Sequence, residues 1–255
     1  VIELKTPEDL GAMRAAGKIV ATALAAVQEH AGVGVSLTEL DAVAARVLEE
    51  SGAGSSFLNY LPAFAPTPYP AVVCASVNDA IVHGIPTDYR LRDGDLVSID
   101  FGAHLDGWHG DAAVSFVVGT PREEDLRLIE TTRGALDAAI EVCRPGATLG
   151  DIGNAIGPVA RSAGYGILAE HGGHGVGRRM HEQPHVPNEG SAGKGMRLHP
   201  GLVIAIEPMF TAGGRDEYRT DRDGWTLRTA DGSRAAHVEH TIAITEDGPL
   251  VLTAL

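Results

Sequence analysis

Four carboxylates stand where ionised groups are costly. Asp100 closes the apolar run DLVSID, Asp111 opens DAAVSFVV, Glu207 lies in VIAIEPMF and Glu239 in AHVEHTIAI. None of these segments contains a Lys or Arg. Burying an ionised carboxylate costs on the order of several kcal/mol unless something compensates. The compensators are a proton or a cation. Four negative charges match two divalent ions, which carboxylates can bridge. Selecting a transition metal over Mg²⁺ or Ca²⁺ takes a softer donor, and His83, His174 and His181 lie in suitable loops. This mixed oxygen and nitrogen set accepts Mn, Fe, Co or Zn.

Taken singly, each residue is open to a plainer reading. A lone strand Asp can cap a turn or sit on an edge. His174, flanked by glycines in GGHGVG, could belong to a mobile loop. A phosphate-cradling loop is conceivable there, but the G-x-G-x-x-G spacing is absent and no Lys-Ser/Thr follows. His240 neighbours Glu239 and so points to the opposite strand face, in a supporting role. His104, His109, His171, His185, His199 and His237 read as surface or structural. What favours a metal is the set: isolated acids in core strands, plus a Gly-flanked His, spread over both halves of the chain.

The elements that must position these groups are legible. Thr6, Pro7 and Asp9 open a first helix with a capping box, and Leu10, Met13, Val20, Leu24 and Val27 share one face. Ser36 and Glu39 box a second, carrying Leu40, Val43, Val47 and Leu48 and stopping at Gly52. TPRE at 120–123 predicts the start of a third, with Leu126, Ile129, Leu136 and Ile140 as its stripe. Thr148 and Asp151 box a fourth that runs to Gly164, with Pro158 expected to kink or shorten it. Strands are predicted at 71–77, 80–84, a hairpin over 96–118, 201–210 and 235–244. Each half thus reads helix, helix, then acid-bearing strands. That order predicts one α+β domain over 1–255, built of two similar halves that face each other across a site.

Composition narrows the function. With 34 acids against 20 Lys+Arg the net charge is −14, which argues against a nucleic-acid or anionic-membrane surface. A hydrophobic content of 44% supplies a core, and no run is read as long enough to span a membrane. VIELKTPEDL lacks the features of a signal peptide. Two distant cysteines, Cys74 and Cys143, predict a reducing cytoplasm rather than a disulfide framework.

Five motifs together resemble the type I methionine aminopeptidases: SVNDAIVHGIP (76–86), LVSIDFGAHLDGWHGDAAVSF (96–116), GGHGVGRRMH (172–181), IAIEPMF (204–210) and GWTLRTADGSRAAHVEHT (224–241). The resemblance implies the pita-bread fold: two pseudo-symmetric halves, a central curved antiparallel sheet and outer helices. It implies Asp100, Asp111, His174, Glu207 and Glu239 as ligands of two divalent ions, with Asp111 and Glu239 bridging. It implies that water activated by the metals attacks the first peptide carbonyl, that His181 contacts that carbonyl oxygen, that His83 contacts the scissile amide, and that Glu207 relays a proton. Tyr60, Tyr69, Cys74, Met180 and Trp225 would line the methionine pocket. The implied substrates are nascent polypeptide N-termini with a small second residue, and a monomer is expected. The stretch NYLPAFAPTPYP (59–70) is longer than the family's short loop and reads as an insertion at the pocket rim. The alternatives are an Xaa-Pro aminopeptidase or prolidase of the same fold, towards which RRMHEQP leans, and a non-catalytic relative. The latter would have lost ligands that this chain keeps.

Overall fold

Capping boxes start three of the four helices in the computed structural model, which describes residues 1–255. In α1 (Pro7–His30) the Asp9 amide donates to Thr6 Oγ1 and the Thr6 amide to Asp9 Oδ2. Ser36 and Glu39 do the same for α2 (Leu37–Ser51), as do Thr148 and Asp151 for α4 (Leu149–Ser162). The helix between them, α3 (Glu123–Glu141), departs from the predicted cap. Arg122 occupies the N-cap without a side-chain bond, while the Thr120 amide donates to Asp93 Oδ1. Glu123, Glu124 and Asp125 in its first turn favour the helix dipole instead. Leu126, expected on the apolar stripe, is exposed, and the neighbouring Asp125 turns inward to pair with Arg234. Pro158 does not end α4, which continues to Ser162.

The strands run β1 (Gly54–Ser55), β2 (Val73–Val77), β3 (Ala80–Val82), β4 (Leu96–Leu105) and β5 (Trp108–Val117) in the first half. After α3 and α4 follow β6 (Gly166–Ile167), β7 (Gly172–Gly175), β8 (Glu182–Pro187), β9 (Val203–Ile206), β10 (Met209–Thr211), β11 (Tyr218–Thr220), β12 (Leu227–Thr229), β13 (Ala235–His237), β14 (His240–Thr245) and β15 (Gly248–Val251). All pairings are antiparallel. One sheet is β1-β4-β2 with β5 beside β4, and the largest is β15-β14-β9-β7-β8. Two smaller sheets, β13-β10-β6 and β11-β12-β3, complete the set.

The hairpin β4–β5 turns on Asp106 and Gly107, whose φ values of 51° and 78° suit a two-residue type I′ turn. Its register puts Asp100 opposite Ala113 and Gly102 opposite Asp111, so both acids point from one face on a diagonal. The expected strands 201–210 and 235–244 are each broken in two. The first passes from β9 to β10 at Glu207–Pro208, where proline has no amide for the ladder. The second passes from β13 to β14 at Val238–Glu239. Because β9 pairs with β14 and β10 with β13, the two chains change sheet side by side, each leaving an acid at the crossover.

Backbone bonds join the halves at that crossover. Ala113 and Glu239 exchange N–H···O contacts of 3.2 and 3.1 Å. Thr241 Oγ1 accepts from the Asp111 amide and donates to its carbonyl, and Ser115 Oγ does likewise with His237. Separate apolar cores fill each half, one under α1 and α2, the other under α3 and α4. The expectation that no segment could cross a membrane needs correction: by length and mean hydropathy α1 would suffice. Its apolar face is instead spent on the core, with Met13, Val20, Leu24 and Val27 buried.

Gly17 shows how tightly α1 is seated. A Cβ there would come within 2.0 Å of the Leu252 carbonyl oxygen. Ala would gain about 1 kcal/mol of helix propensity, against an overpacking cost of about 1–3 kcal/mol or more when backbone must move. Gly17→Ala is therefore expected to lower the urea midpoint, and an unchanged midpoint would show that the helix can shift at no cost.

Candidate metal centre

The two sheet faces bring the four acids to one point. Asp100 and Asp111 arrive from β4 and β5, His174 from β7, and Glu207 and Glu239 from the paired crossovers. His174 Nε2 lies 3.5 Å from Asp111 Oδ2, 3.5 Å from Glu207 Oε1 and 4.0 Å from Glu239 Oε1. Its Nδ1 is 2.9 Å from the Gly175 carbonyl oxygen. A proton on Nδ1 serves that carbonyl. Burial lowers the ring, but the hydrogen bond to Asp111 and the charge of Glu207 outweigh it and raise His174. Nε2 therefore becomes a lone-pair donor among the carboxylates when a cation takes the place of its proton.

No Lys or Arg pairs with any of the four acids; their ionic neighbours are histidines alone. Asp111 and Glu239 are only 3% and 1% exposed. Asp100 Oδ1, Asp111 Oδ1 and both Glu239 oxygens have no hydrogen-bond partner. Buried acceptors of this kind need a proton or a cation. Burial, then the charges of Asp111 and Glu207, push Asp100 and Glu239 well above the usual carboxylate range. Burial also raises Asp111, with His174 opposing it. Burial acts on Glu207 in the same direction, but His237 and His174 together outweigh it and hold that carboxyl low. The donors form groups within 4.8 Å of one another: Asp111–His174–His181, Asp100–His237–Glu239 and His174–Glu207–Glu239. Hard oxygens and imidazole nitrogens at this spacing suit divalent first-row metals.

Beside the cluster opens a cavity of about 300 Å³. One wall is polar: Asp100, Asp111, His174 and Glu207, with His83, His171, His181 and His185 around them. The other is apolar: Phe57, Tyr60, Phe64, Tyr69, Cys74, Met180 and Trp225. The rim is fixed by Trp225 Nε1, which donates to the Thr67 carbonyl at 3.0 Å, and by an edge-on contact of Phe64 with Trp225 at 5.8 Å. Burial and the nearby His171 push His83 down to about 4. His181 is exposed as a residue, but desolvation of its ring in the cavity wall and the neighbouring His174 push it down to about 3. Both rings are therefore neutral at pH 7.

The family model for metallopeptidase family M24 matches residues 11–246. The chain belongs to metallopeptidase family M24. It is 49% identical to methionine aminopeptidase 1 of Mycobacterium tuberculosis, covering 99% of this chain and 95% of that relative. The methionine aminopeptidase of Aquifex aeolicus is 45% identical over 100% and 99% of the two chains. The crystal structure of the Thermotoga maritima methionine aminopeptidase superposes with a TM-score of 0.95, at 38% identity and full coverage of both. The Pyrococcus furiosus prolidase shares the fold at TM-score 0.77 and 25% identity, but this chain spans only 65% of it. The pita-bread α+β architecture expected from the sequence is the one observed.

As an M24 metallopeptidase the chain binds divalent metal, and its orphaned carboxylates fit that group. All five residues expected as ligands meet in space, and all seven expected around the substrate line one cavity. His240 does point away, to Thr253 Oγ1. His237, which reads from the sequence as surface or structural, stands instead within the cluster. It is buried, with Nε2 3.2 Å from Glu207 Oε2 and 3.8 Å from Glu239 Oε2. The strand period holds the clue, since His237 and Glu239 are two residues apart and share a face. His171, half-buried, and His185, which stays exposed, also line the cavity.

The raised carboxylates give the metal affinity a sign. A metal must displace the protons that Asp100 and Glu239 hold, so apparent affinity rises with pH. In the metal-free fold these raised groups stabilise at low pH, and that contribution is lost as pH rises through their folded values. Metal then replaces the proton. At about 100-fold excess over Kd, Mn²⁺ should stabilise the fold by about 2.7 kcal/mol. The increase in Tm on adding a fixed Mn²⁺ concentration should be larger at about pH 7.5 than at about pH 5.5. Equal increases at both would count against carboxylate ligation.

Proposed function

We propose that the chain is a methionine aminopeptidase that releases the first methionine from nascent polypeptides with a small second residue. Two divalent ions, drawn from Mn, Fe, Co or Zn, would be held by Asp100, Asp111, His174, Glu207 and Glu239, with Asp111 and Glu239 shared. The observation that carries the reading is an unpaired, buried carboxylate cluster opening onto a cavity with a sulfur and aromatic wall. Cys74 and Met180 beside Tyr69 and Trp225 suit a thioether, which packs well against soft atoms and aromatic rings. Its full-length likeness to methionine aminopeptidases, against partial coverage of the prolidase, weighs against an Xaa-Pro peptidase. The ligand set draws on both halves, so the chain works as one catalytic unit. Two buried free cysteines agree with a cytoplasmic setting, in which a monomer meets its substrates.

Bound divalent ions would supply Lewis-acid polarisation and a nucleophile near neutral pH. The residues do the rest. Glu207, ionised at neutral pH, accepts a proton from the attacking water and returns it to the leaving amine. His181, a neutral ring, donates to the carbonyl oxygen as negative charge develops there. His83, which lines the same cavity, faces the scissile amide. Tyr60, Tyr69, Cys74, Met180 and Trp225 enclose the first side chain and exclude water from it.

Metal-loaded protein is expected to release Met from Met-Ala-Ser and to leave Ala-Pro peptides intact; turnover of the proline peptides alone would transfer the assignment to the Xaa-Pro enzymes. His181→Ala should lower kcat by about 10²–10³-fold while leaving metal content unchanged. Loss of metal in that variant would make His181 a ligand instead.

A further inference from the structure

The two tyrosines of the 59–70 loop are joined to each other before they reach the cavity. The Asn59 amide donates to the Tyr69 carbonyl and the Tyr69 amide to the Tyr60 carbonyl, both at 2.8 Å. This pinch leaves residues 61–68 outside it, so the insertion extends the rim without displacing either tyrosine. Asn59 adopts φ 66° to enter the pinch, a conformation asparagine tolerates. Tyr69 is anchored by its hydroxyl, which lies 2.7 Å from the Val73 carbonyl and 3.0 Å from that of Gly84, the residue after His83. From this fixed base the Tyr60 hydroxyl reaches His181 Nδ1 at 2.9 Å, with the two rings 5.3 Å apart.

We propose that Tyr60 is a positioning residue for His181: its hydroxyl donates to Nδ1 and so fixes the tautomer that carries a proton on Nε2. The inference rests on the peptidase reading above and adds a residue to it. The choice of tautomer decides between two fates of the same ring. His181 stands with Asp111 and His174 in one of the metal-competent groups, its ring 4.2 Å from that of His174. With Nδ1 protonated, Nε2 would be a bare lone pair and a further ligand. With Tyr60 donating to Nδ1, Nε2 carries the proton, cannot ligate, and is left as the donor that an oxyanion needs. A phenol is the better proton donor of the two partners, and the Tyr60 hydroxyl makes no other hydrogen bond. The Tyr60 ring meanwhile lines the cavity, so ring and hydroxyl have separable tasks.

Tyr60→Phe keeps the ring and removes the hydroxyl. Turnover of Met-Ala-Ser should fall about tenfold in kcat with KM within about twofold, and the preference for Met over Leu at the first position should persist. Unchanged kcat, or a rise in KM alone, would reduce Tyr60 to a pocket wall and overturn the proposal. The second measurement does not depend on activity. In zinc-loaded protein with ¹⁵N-labelled histidine rings, the His181 signals, assigned by their loss in His181→Ala, should show an unprotonated Nδ1 shifted by a hydrogen bond. That shift should disappear in Tyr60→Phe. A protonated Nδ1 in the unaltered protein, or no change on substitution, would overturn the assignment. If the unaltered protein fails to release methionine, the peptidase reading falls, and the nitrogen signals alone decide the positioning role.

Discussion

Repulsion among buried carboxylates is the constraint that the rest of the structure answers to. Two like charges about 4 Å apart repel by about 4 kcal/mol at an effective dielectric of about 20, and this site gathers four. No lysine or arginine relieves them, and two histidines are too few. Without metal, burial and the neighbouring carboxylates push Asp100 and Glu239 upward, towards their protonated forms. With metal, the same groups become the reason to stay assembled. The site is costly by itself and favourable only when occupied, which is the energetic character of a metalloenzyme centre.

The fold meets that cost with rigid surroundings. A hairpin fixes Asp100 and Asp111 on a diagonal, and a paired change of sheet leaves Glu207 and Glu239 directly opposite each other between the two ladders. The Ala113–Glu239 bridge and the hydroxyls of Thr241 and Ser115 then tie the first pair to the second. Each half keeps its own core, so the seam between them need not be apolar and can carry charge. Strand breaks at Glu207–Pro208 and Val238–Glu239 interrupt the regular ladder at the very acids that join the buried cluster.

The apolar wall of the cavity is built from a different part of the chain. It comes largely from the 57–74 region and from Met180 and Trp225, none of which belongs to the hairpin or the crossovers. The long loop is held at its base by the pinch between Tyr60 and Tyr69 and at its rim by Trp225 and Phe64. Length can therefore vary outside the pinch while the cavity wall keeps its shape. The same tyrosines hold the histidines, through Nδ1 of His181 and the carbonyl beside His83.

Features that depend on a few neighbouring residues are legible in the chain itself. Acids in apolar runs stand out through local chemistry, and so do three helix starts, each within a window of four residues. Features that depend on distant partners are not. Thr120 does not cap α3, which begins at Glu123 with Arg122 as its N-cap, and Leu126 stays outside the core while Asp125 turns inward to Arg234. His237 reads as a bystander because only the second crossover brings it to Glu207. By itself the sequence determined which groups could not remain uncompensated, where the four helices lie and where the acid-bearing apolar strands run, since those follow from period, capping and desolvation. The Gly-rich strand β7 that carries His174 reads from the sequence as a loop. The tertiary structure decided which group answers which. Residues more than one hundred positions apart, such as Asp111 and Thr241, meet only when the two halves close. Charge balance, tautomer and cavity shape are set across that closure.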